Sequence, residues 1–265
     1  MLIGQDKLIQ KIDKFTLDTL PRTILLEGLK GSGRHTLINY ISNKLNMTVQ
    51  DISIDLTLET IEEINTRVHP YVYIIDTIYL SEKNENKILK FLEEPLKNAY
   101  IFLICENKYN LIDTIRNRCN ILSMEKYSKD ILNTILNQDN QYKDLILQIA
   151  ETPGDVKELQ QHDINRMITL SDKILDKIGV ASLPNTLTLT NNIAFKNEKD
   201  KLDINLFFRL LLFSARNRVL NNYEKSIITY NVTKDYYNRT FIKNIDKKYL
   251  FENYLINLKL RIMEG

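Results

Sequence analysis

The apolar positions in the first 125 residues change period again and again. Leu8, Ile9, Ile12 and Phe15 recur at helical spacing, which predicts an amphipathic helix over residues 5–17. Residues 23–26 form a short apolar run that predicts a strand, and a helix follows from about Arg34. Residues 49–54 alternate and predict a second strand, while 58–68 predict another amphipathic helix. Tyr71 to Asp76, YVYIID, is β-branched and aromatic up to its final carboxylate, the composition of a strand buried on both faces. Residues 81–92 put Ile88, Leu89 and Leu92 on one helical face. That helix stops at Glu94, because Pro95 disfavours the α conformation in the residue before it. A buried strand at 100–105, a short helix at 109–115 and a strand at 121–124 complete the series. Strands alternating with helices in this way predict a parallel sheet with helices packed on it.

Beyond residue 125 the strand signal fades. Residues 128–136 and 142–150 predict two helices of a small lid, and Pro153, Gly154 and Asp155 break the pattern and cap the start of another. Residues 180–202 lose helical periodicity and gain Asn, Thr and charge, which marks a domain boundary; 186–189 is open to a stray strand. From Asp203 helices return. Phe207, Leu210, Leu211 and Ser214 share one face, and Tyr249, Phe251, Tyr254, Leu255 and Leu258 share another in the last helix. The expected order is α/β then all-α: a sheet domain over 1–125, a helical lid over 126–180 and a C-terminal helical domain over 181–265.

Composition narrows the function classes. Thirty-six Lys and Arg against 34 Asp and Glu give a net charge of +2, too balanced for composition to argue nucleic-acid binding. The two cysteines, Cys105 and Cys119, lie in or beside apolar runs, which suits free thiols in a reducing compartment, and two cannot make a zinc ribbon. The N-terminus has no signal-peptide pattern, and the most apolar run, residues 206–213, is short and carries Arg209. A cytoplasmic protein with no membrane association is expected.

The chemistry concentrates in TILLEGLKGSGRHTLINYI, Thr23 to Ile41. A strand, a turn punctuated by Gly28, Gly31 and Gly33, and a helix opening at Arg34 follow one another in the order of a P-loop, where backbone N–H groups and a helix N-terminus converge on phosphate oxygens. A P-loop then needs a Lys for the β and γ phosphates and a Ser or Thr for magnesium. Arg34 and His35 stand there instead. Arg still pairs with phosphate, but imidazole is a poor ligand for magnesium, and the Thr36 hydroxyl points roughly 100° away around the helix. Asp76 ends its strand where such enzymes hold the magnesium shell, and Thr77, which follows it, is no base at neutral pH. A phosphate cradle that binds without hydrolysing is the favoured reading. The alternative for the turn is a glycine-rich connection that binds nothing; for Asp76 it is a cap on the next helix, a role compatible with the magnesium one.

VYIID, KILKFLEEP, IFLICEN and LIDTIRNRCNIL resemble, in order and spacing, the clamp-loader branch of the AAA+ proteins. Ile3, Gly4 and Gln5 match that family's N-terminal element that touches the adenine, and Leu92 to Pro95 matches its LEEP signature. Asn117, Arg118 and Cys119 match its Ser-Arg-Cys motif with Asn in place of Ser. The resemblance covers about the first 160 residues.

The resemblance implies an AAA+ P-loop NTPase-like sheet domain, a helical lid and a C-terminal collar that packs against other subunits. It implies that Arg118 is a finger reaching into a neighbouring subunit's ATP site; for Arg118 the alternative is a surface ion pair, which for Arg116 is the favoured reading. Ile3, Gly4, Gly28, Gly31, Gly33, Arg34, His35, Thr36, Asp76, Asn107 and Lys157 form the candidate nucleotide site, with Lys157 where the family carries a sensor arginine of its third lid helix, or else a solvated helix lysine. ATP or ADP held without hydrolysis is the implied ligand, and the family's four-cysteine zinc module is missing, so no zinc is expected. The implied partners are other clamp-loader subunits, ATPases of the γ/τ kind and a δ-like subunit, the sliding clamp, and primer-template DNA through the assembled ring. The competing functions are a working AAA+ ATPase with atypical ligands and a nucleotide-free AAA+-like adaptor.

Overall fold

A computed structural model describes residues 2–53, 69–80, 88–89, 91–93, 98–137, 139–161, 164–180, 182, 184–185, 204–242 and 245–264. The helix expected at 58–68, most of the one at 81–92, Glu94 and Pro95 of the LEEP signature, His162 and the strand expected at 186–189 lie outside the described residues. Residues 88–89 and 91–93 are helical. The chain forms two compact units, one of Met1–Ile135 with Glu151–Val156, the other of Leu136–Ala150 with Lys157–Gly265.

The first unit is built on five parallel strands in the order β2-β3-β4-β1-β5: β1 Thr23–Glu27, β2 Thr48–Asp51, β3 Tyr71–Asp76, β4 Ala99–Cys105 and β5 Asn120–Ser123. Side chains alternate across a strand, so β1 sends Leu25 to one face and Ile24 and Leu26 to the other. On the first face Leu25, Tyr73, Ile75, Ile101 and Leu103 meet Ile88, Phe91 and Leu92. On the second, Ile24, Leu26, Val72, Ile74, Phe102 and Ile104 pack with Leu8 and Ile12 of α1 (Asp6–Ile12) and Leu37, Ile38 and Ile41 of α2 (Arg34–Lys44). Both faces are covered, which is why the central strands read as continuous apolar runs.

The short helix expected at 109–115 is two pieces. Asn107 caps a 3-10 turn at Lys108–Asn110, and α3 spans Asp113–Arg116. After β5 come α4 (Lys129–Ile135), α5 (Lys143–Ile149) and α6 (Pro153–Gln160). Thr152 starts α6 with a reciprocal cap: Asp155 N donates to Thr152 Oγ1 (3.2 Å), and Asp155 Oδ2 accepts from Thr152 N (2.8 Å) and Glu151 N (2.9 Å).

The second unit takes its core from α7 (Ile164–Val180), α8 (Ile204–Leu220), α9 (Ser226–Arg239) and α10 (Lys247–Glu264). Phe207, Phe208, Phe251 and Tyr254 meet mostly edge to face, with Tyr254 Oη bonded to Thr233 Oγ1 at 2.9 Å. The stripe expected in α10 needs one correction. Phe251, Tyr254, Leu255 and Leu258 are buried, but Tyr249 is 64% exposed, since two residues from Phe251 is about 200° around a helix. Of the C-terminal arginines, Arg218 donates to Asp172 O and Asp176 Oδ1 of α7, Arg209 is buried and Arg216 is exposed.

Candidate functional site

The connection leaving β1 runs to β2 at one border of the sheet, and the connection leaving β4 runs to β5 at the other. Between these neighbours, at the strands' carboxyl ends, lies a topological switch point, the crevice where open α/β sheets bind ligands. The glycine turn occupies it. Gly28 N donates to Cys105 O (3.0 Å), continuing the β1–β4 ladder into the turn. Gly31 and Gly33 then take φ of +79° and +91°, values that L side chains rarely adopt. At Gly31 a second constraint applies: Gly154 lies against it so closely that a Cβ on Gly154 would come 2.5 Å from Gly31 Cα.

The carbonyls of this turn are held from outside. Lys30 O accepts from Thr152 Oγ1 (3.1 Å), Gly31 O from Gly154 N (3.0 Å) and Ser32 O from Tyr127 Oη (2.7 Å). Helix α2 begins directly after Gly33, with no side-chain cap and no acidic residue in its first turn, so its free N–H groups and positive dipole end suit an anion. Ser32 is 3% exposed, and its Oγ has no hydrogen-bond partner among the described residues. Arg34 is half-buried beside it, while His35 and Thr36 are exposed. The N-terminal element lies next to the turn: Leu2 Cδ1 is 2.8 Å from where a Cβ on Gly33 would stand, and Gly4 packs against Ile131 and Tyr127. Ile3 is 45% exposed, and Gln5, fully buried, clasps the Glu125 backbone through both amide atoms (2.7 and 3.0 Å).

Asp76 and Asn107, candidates from this edge, each cap a local turn. Asp76 accepts from Ile78 N (3.0 Å) as the cap of a 3-10 turn, and its own N–H donates to Ser53 Oγ (2.7 Å). One strand, β4, separates it from β1, so it stands two strand spacings, about 10 Å, from the turn's strand. Asn107 turns its side chain to Tyr109 N (3.0 Å). Lys157 is exposed and falls in the second unit.

Three residues that sequence reasoning passed over meet here. Glu27, last in β1, accepts from Lys108 N on Oε1 (3.1 Å) and from Lys108 Nζ (3.2 Å) and Ser123 Oγ (2.9 Å) on Oε2. Burial pushes its carboxyl up, but these three donors outweigh it and hold the group below the usual carboxylate range. The signal was available: a carboxylate closing an apolar strand is the cue that singled out Asp76.

Arg118 lies at the opposite edge. Its carbonyl accepts from Thr23 Oγ1 (2.6 Å) where β1 begins, two residues before β5 starts at Asn120. β1 climbs about 13 Å from Thr23 to Glu27, so the guanidinium and the glycine turn belong to different ends of the sheet. Arg118 Nη1 donates to Thr114 O (2.7 Å) and Nη2 to Glu93 Oε1. Arg116 pairs with Asp113 and lies over the Tyr109 ring at 5.1 Å, as its favoured reading has it. Cys105 and Cys119 are free, and burial pushes both thiols up to about 12. Among the described residues no helix is long and apolar enough to cross a membrane.

A five-stranded parallel sheet with a glycine turn at its switch point, followed by a helical unit, is an AAA+ P-loop NTPase-like architecture. Within that class the chain resembles the clamp-loader subunits of DNA polymerase III. Residues 59–128 match the family model described as DNA polymerase III, delta subunit. The DNA polymerase III subunit delta' of Buchnera aphidicola is 27% identical over 237 residues, covering 86% of this chain and 66% of that protein. The subunit delta' of Bacillus subtilis is 26% identical over 136 residues, covering 50% and 41%. The match thus spans less than two thirds of either relative's length. A solved DNA polymerase III gamma subunit-related protein from Thermotoga maritima is similar at 16% identity and a TM-score of 0.49, covering 97% of this chain and 99% of that one.

Proposed function

We propose that this chain is a non-hydrolysing or poorly hydrolysing clamp-loader subunit of the replicative DNA polymerase, which supplies Arg118 in trans to a neighbouring ATPase during loading of the sliding clamp on primed DNA. The observation that carries the reading is the separation of the two edges. Arg118 stands at the amino edge with its side chain 33% exposed, away from its own turn and open to a site outside this chain, which supports the reading. Likeness to the delta' relatives supports the assembly, its γ- and δ-type partners and a cytoplasmic setting.

A phosphate group fits the turn. The uncapped start of α2, the turn's backbone and the buried Ser32 hydroxyl are donors in search of an anion, and Arg34 adds charge. A bound nucleotide supplies the anionic oxygens that these groups would hold. A magnesium shell fits poorly: His35 puts an imidazole where a hydroxyl oxygen is needed, and the Thr36 hydroxyl lies roughly 100° further round α2, which leaves Asp76, one oxygen of which caps a turn, as the hard ligand from this set. No step of hydrolysis is therefore assigned to this chain's own site. Arg118, in contrast, offers a planar fork that stabilises charge on a transferring phosphoryl group, an effect of roughly 10³ to 10⁵ in rate where such a finger is supplied.

Two measurements test the reading. The purified chain alone should bind labelled ATP or ADP in an equilibrium titration and turn over negligible ATP; brisk magnesium-dependent turnover abolished by Asp76→Ala would favour a working ATPase, and absence of binding would favour the adaptor. In the assembled ring, Arg118→Ala should remove DNA-stimulated turnover. A ring that keeps its rate has no finger here.

A further inference from the structure

Arg118 is not presented bare. Its guanidinium lies between a neutral acceptor, Thr114 O in α3, and a charged one, the Glu93 carboxylate, which comes from the helical residues 91–93 before β4. The two partners differ in what they cost to exchange. Thr114 lies four residues away on the same loop-helix segment, so that bond can persist while the side chain's other donors take a new acceptor. Glu93 is 47% exposed and Arg118 33%, which makes their ion pair a surface pair open to competition. A triphosphate brings several negative charges and the same bidentate geometry that a carboxylate offers, so it can outcompete Glu93 for the fork.

We infer that Glu93 is a positioning residue that parks Arg118 and is displaced when a neighbouring subunit presents a nucleoside triphosphate. The inference rests on the finger role proposed above. Parking has two consequences. It cancels the charge that would otherwise draw any passing polyanion to this edge, and it keeps the guanidinium in one place without burying it. Because an exposed pair is weak, the restraint is small and reversible: it sets a threshold for engagement and does not block it.

The test uses the assembled ring. Glu93→Gln keeps the size and removes the charge, so turnover without DNA should rise about two- to fivefold, the weight of an exposed ion pair. Arg118→Ala should lose turnover, and the double variant should match Arg118→Ala, since Glu93 acts only through Arg118. The Glu93→Gln chain should keep its unfolding midpoint within about 2 °C, which separates release of the finger from damage to the fold. An unchanged or lower rate in Glu93→Gln, or a Glu93→Gln effect that survives in the double variant, overturns the latch while leaving the finger intact. A ring indifferent to Arg118→Ala overturns both.

Discussion

The carboxyl and amino edges of one sheet treat charge in opposite ways. At the carboxyl edge Glu27 is 19% exposed and shared among three donors from β5 and the β4 loop, and the Lys30, Gly31 and Ser32 carbonyls of the turn are each held by a neighbour. At the amino edge Arg118 has one carbonyl and one exposed carboxylate. A network with several partners fixes geometry and resists exchange, whereas a single exposed pair exchanges easily. The first arrangement suits a site that holds a ligand in one pose. The second suits a group that must change partners during a cycle.

The sharpest way to break this comparison is to neutralise one cation at each edge and follow turnover in the assembled ring. Arg118→Ala should cost about 10³-fold or more, because it removes charge stabilisation from a transferring phosphoryl group. Arg34→Ala should change the ring's rate by less than about twofold and should instead weaken nucleotide binding to the isolated chain, by about tenfold for a lost charge-assisted contact. Equal losses from the two variants would mean that the turn at the carboxyl edge takes part in the chemistry after all.

A smaller effect, on folding and on the turn's own binding, should come from the packing that shapes the turn. A Cβ on Gly154 would stand 2.5 Å from Gly31 Cα and 3.2 Å from Gly31 O, both backbone atoms that cannot rotate aside. Gly154→Ala should therefore destabilise the first unit by about 1–3 kcal/mol in denaturant titration and weaken phosphate binding at the turn. Unchanged stability with unchanged binding would show that the turn's shape does not depend on this contact.

Much of the sheet was legible because its strands are buried on both faces. Tyr71–Asp76 begins and ends where its apolar run does, and the predicted 23–26 and 100–105 grew by one residue each. The register of parallel neighbours was not legible, because no local pattern tells β1 that its partners are β4 and β5. The same limit explains the site. Gly31 advertised a turn, but Gly154, more than a hundred residues on, reads in sequence only as a helix breaker. Arg118 was singled out by its motif, yet its pairing with Glu93 needed the loop before β5 and the helix before β4 to meet in space. Lys108 gave no signal at all, since an isolated lysine beside a strand is ordinary.

The gentlest test concerns Glu27 and the pH dependence of folding. Burial raises its carboxyl, while the Lys108 backbone N–H, the Ser123 hydroxyl and the Lys108 ammonium lower it further than burial lifts it. A carboxylate whose pKa is depressed in the folded state adds stability above its unfolded value, roughly 4.3, and loses that contribution as pH falls through the lower folded value. Glu27→Gln should thus cost on the order of 1 kcal/mol at pH 7, because the amide offers Lys108 no charge. Below about pH 4 the gap between variant and native chain should narrow, as the native carboxyl takes up the proton that ends its advantage. Parallel stability curves from pH 7 to about 3 would mean that the cluster ties β1, β4 and β5 through neutral contacts alone, and the contrast between a fixed carboxyl edge and an exchangeable amino edge would lose its electrostatic half.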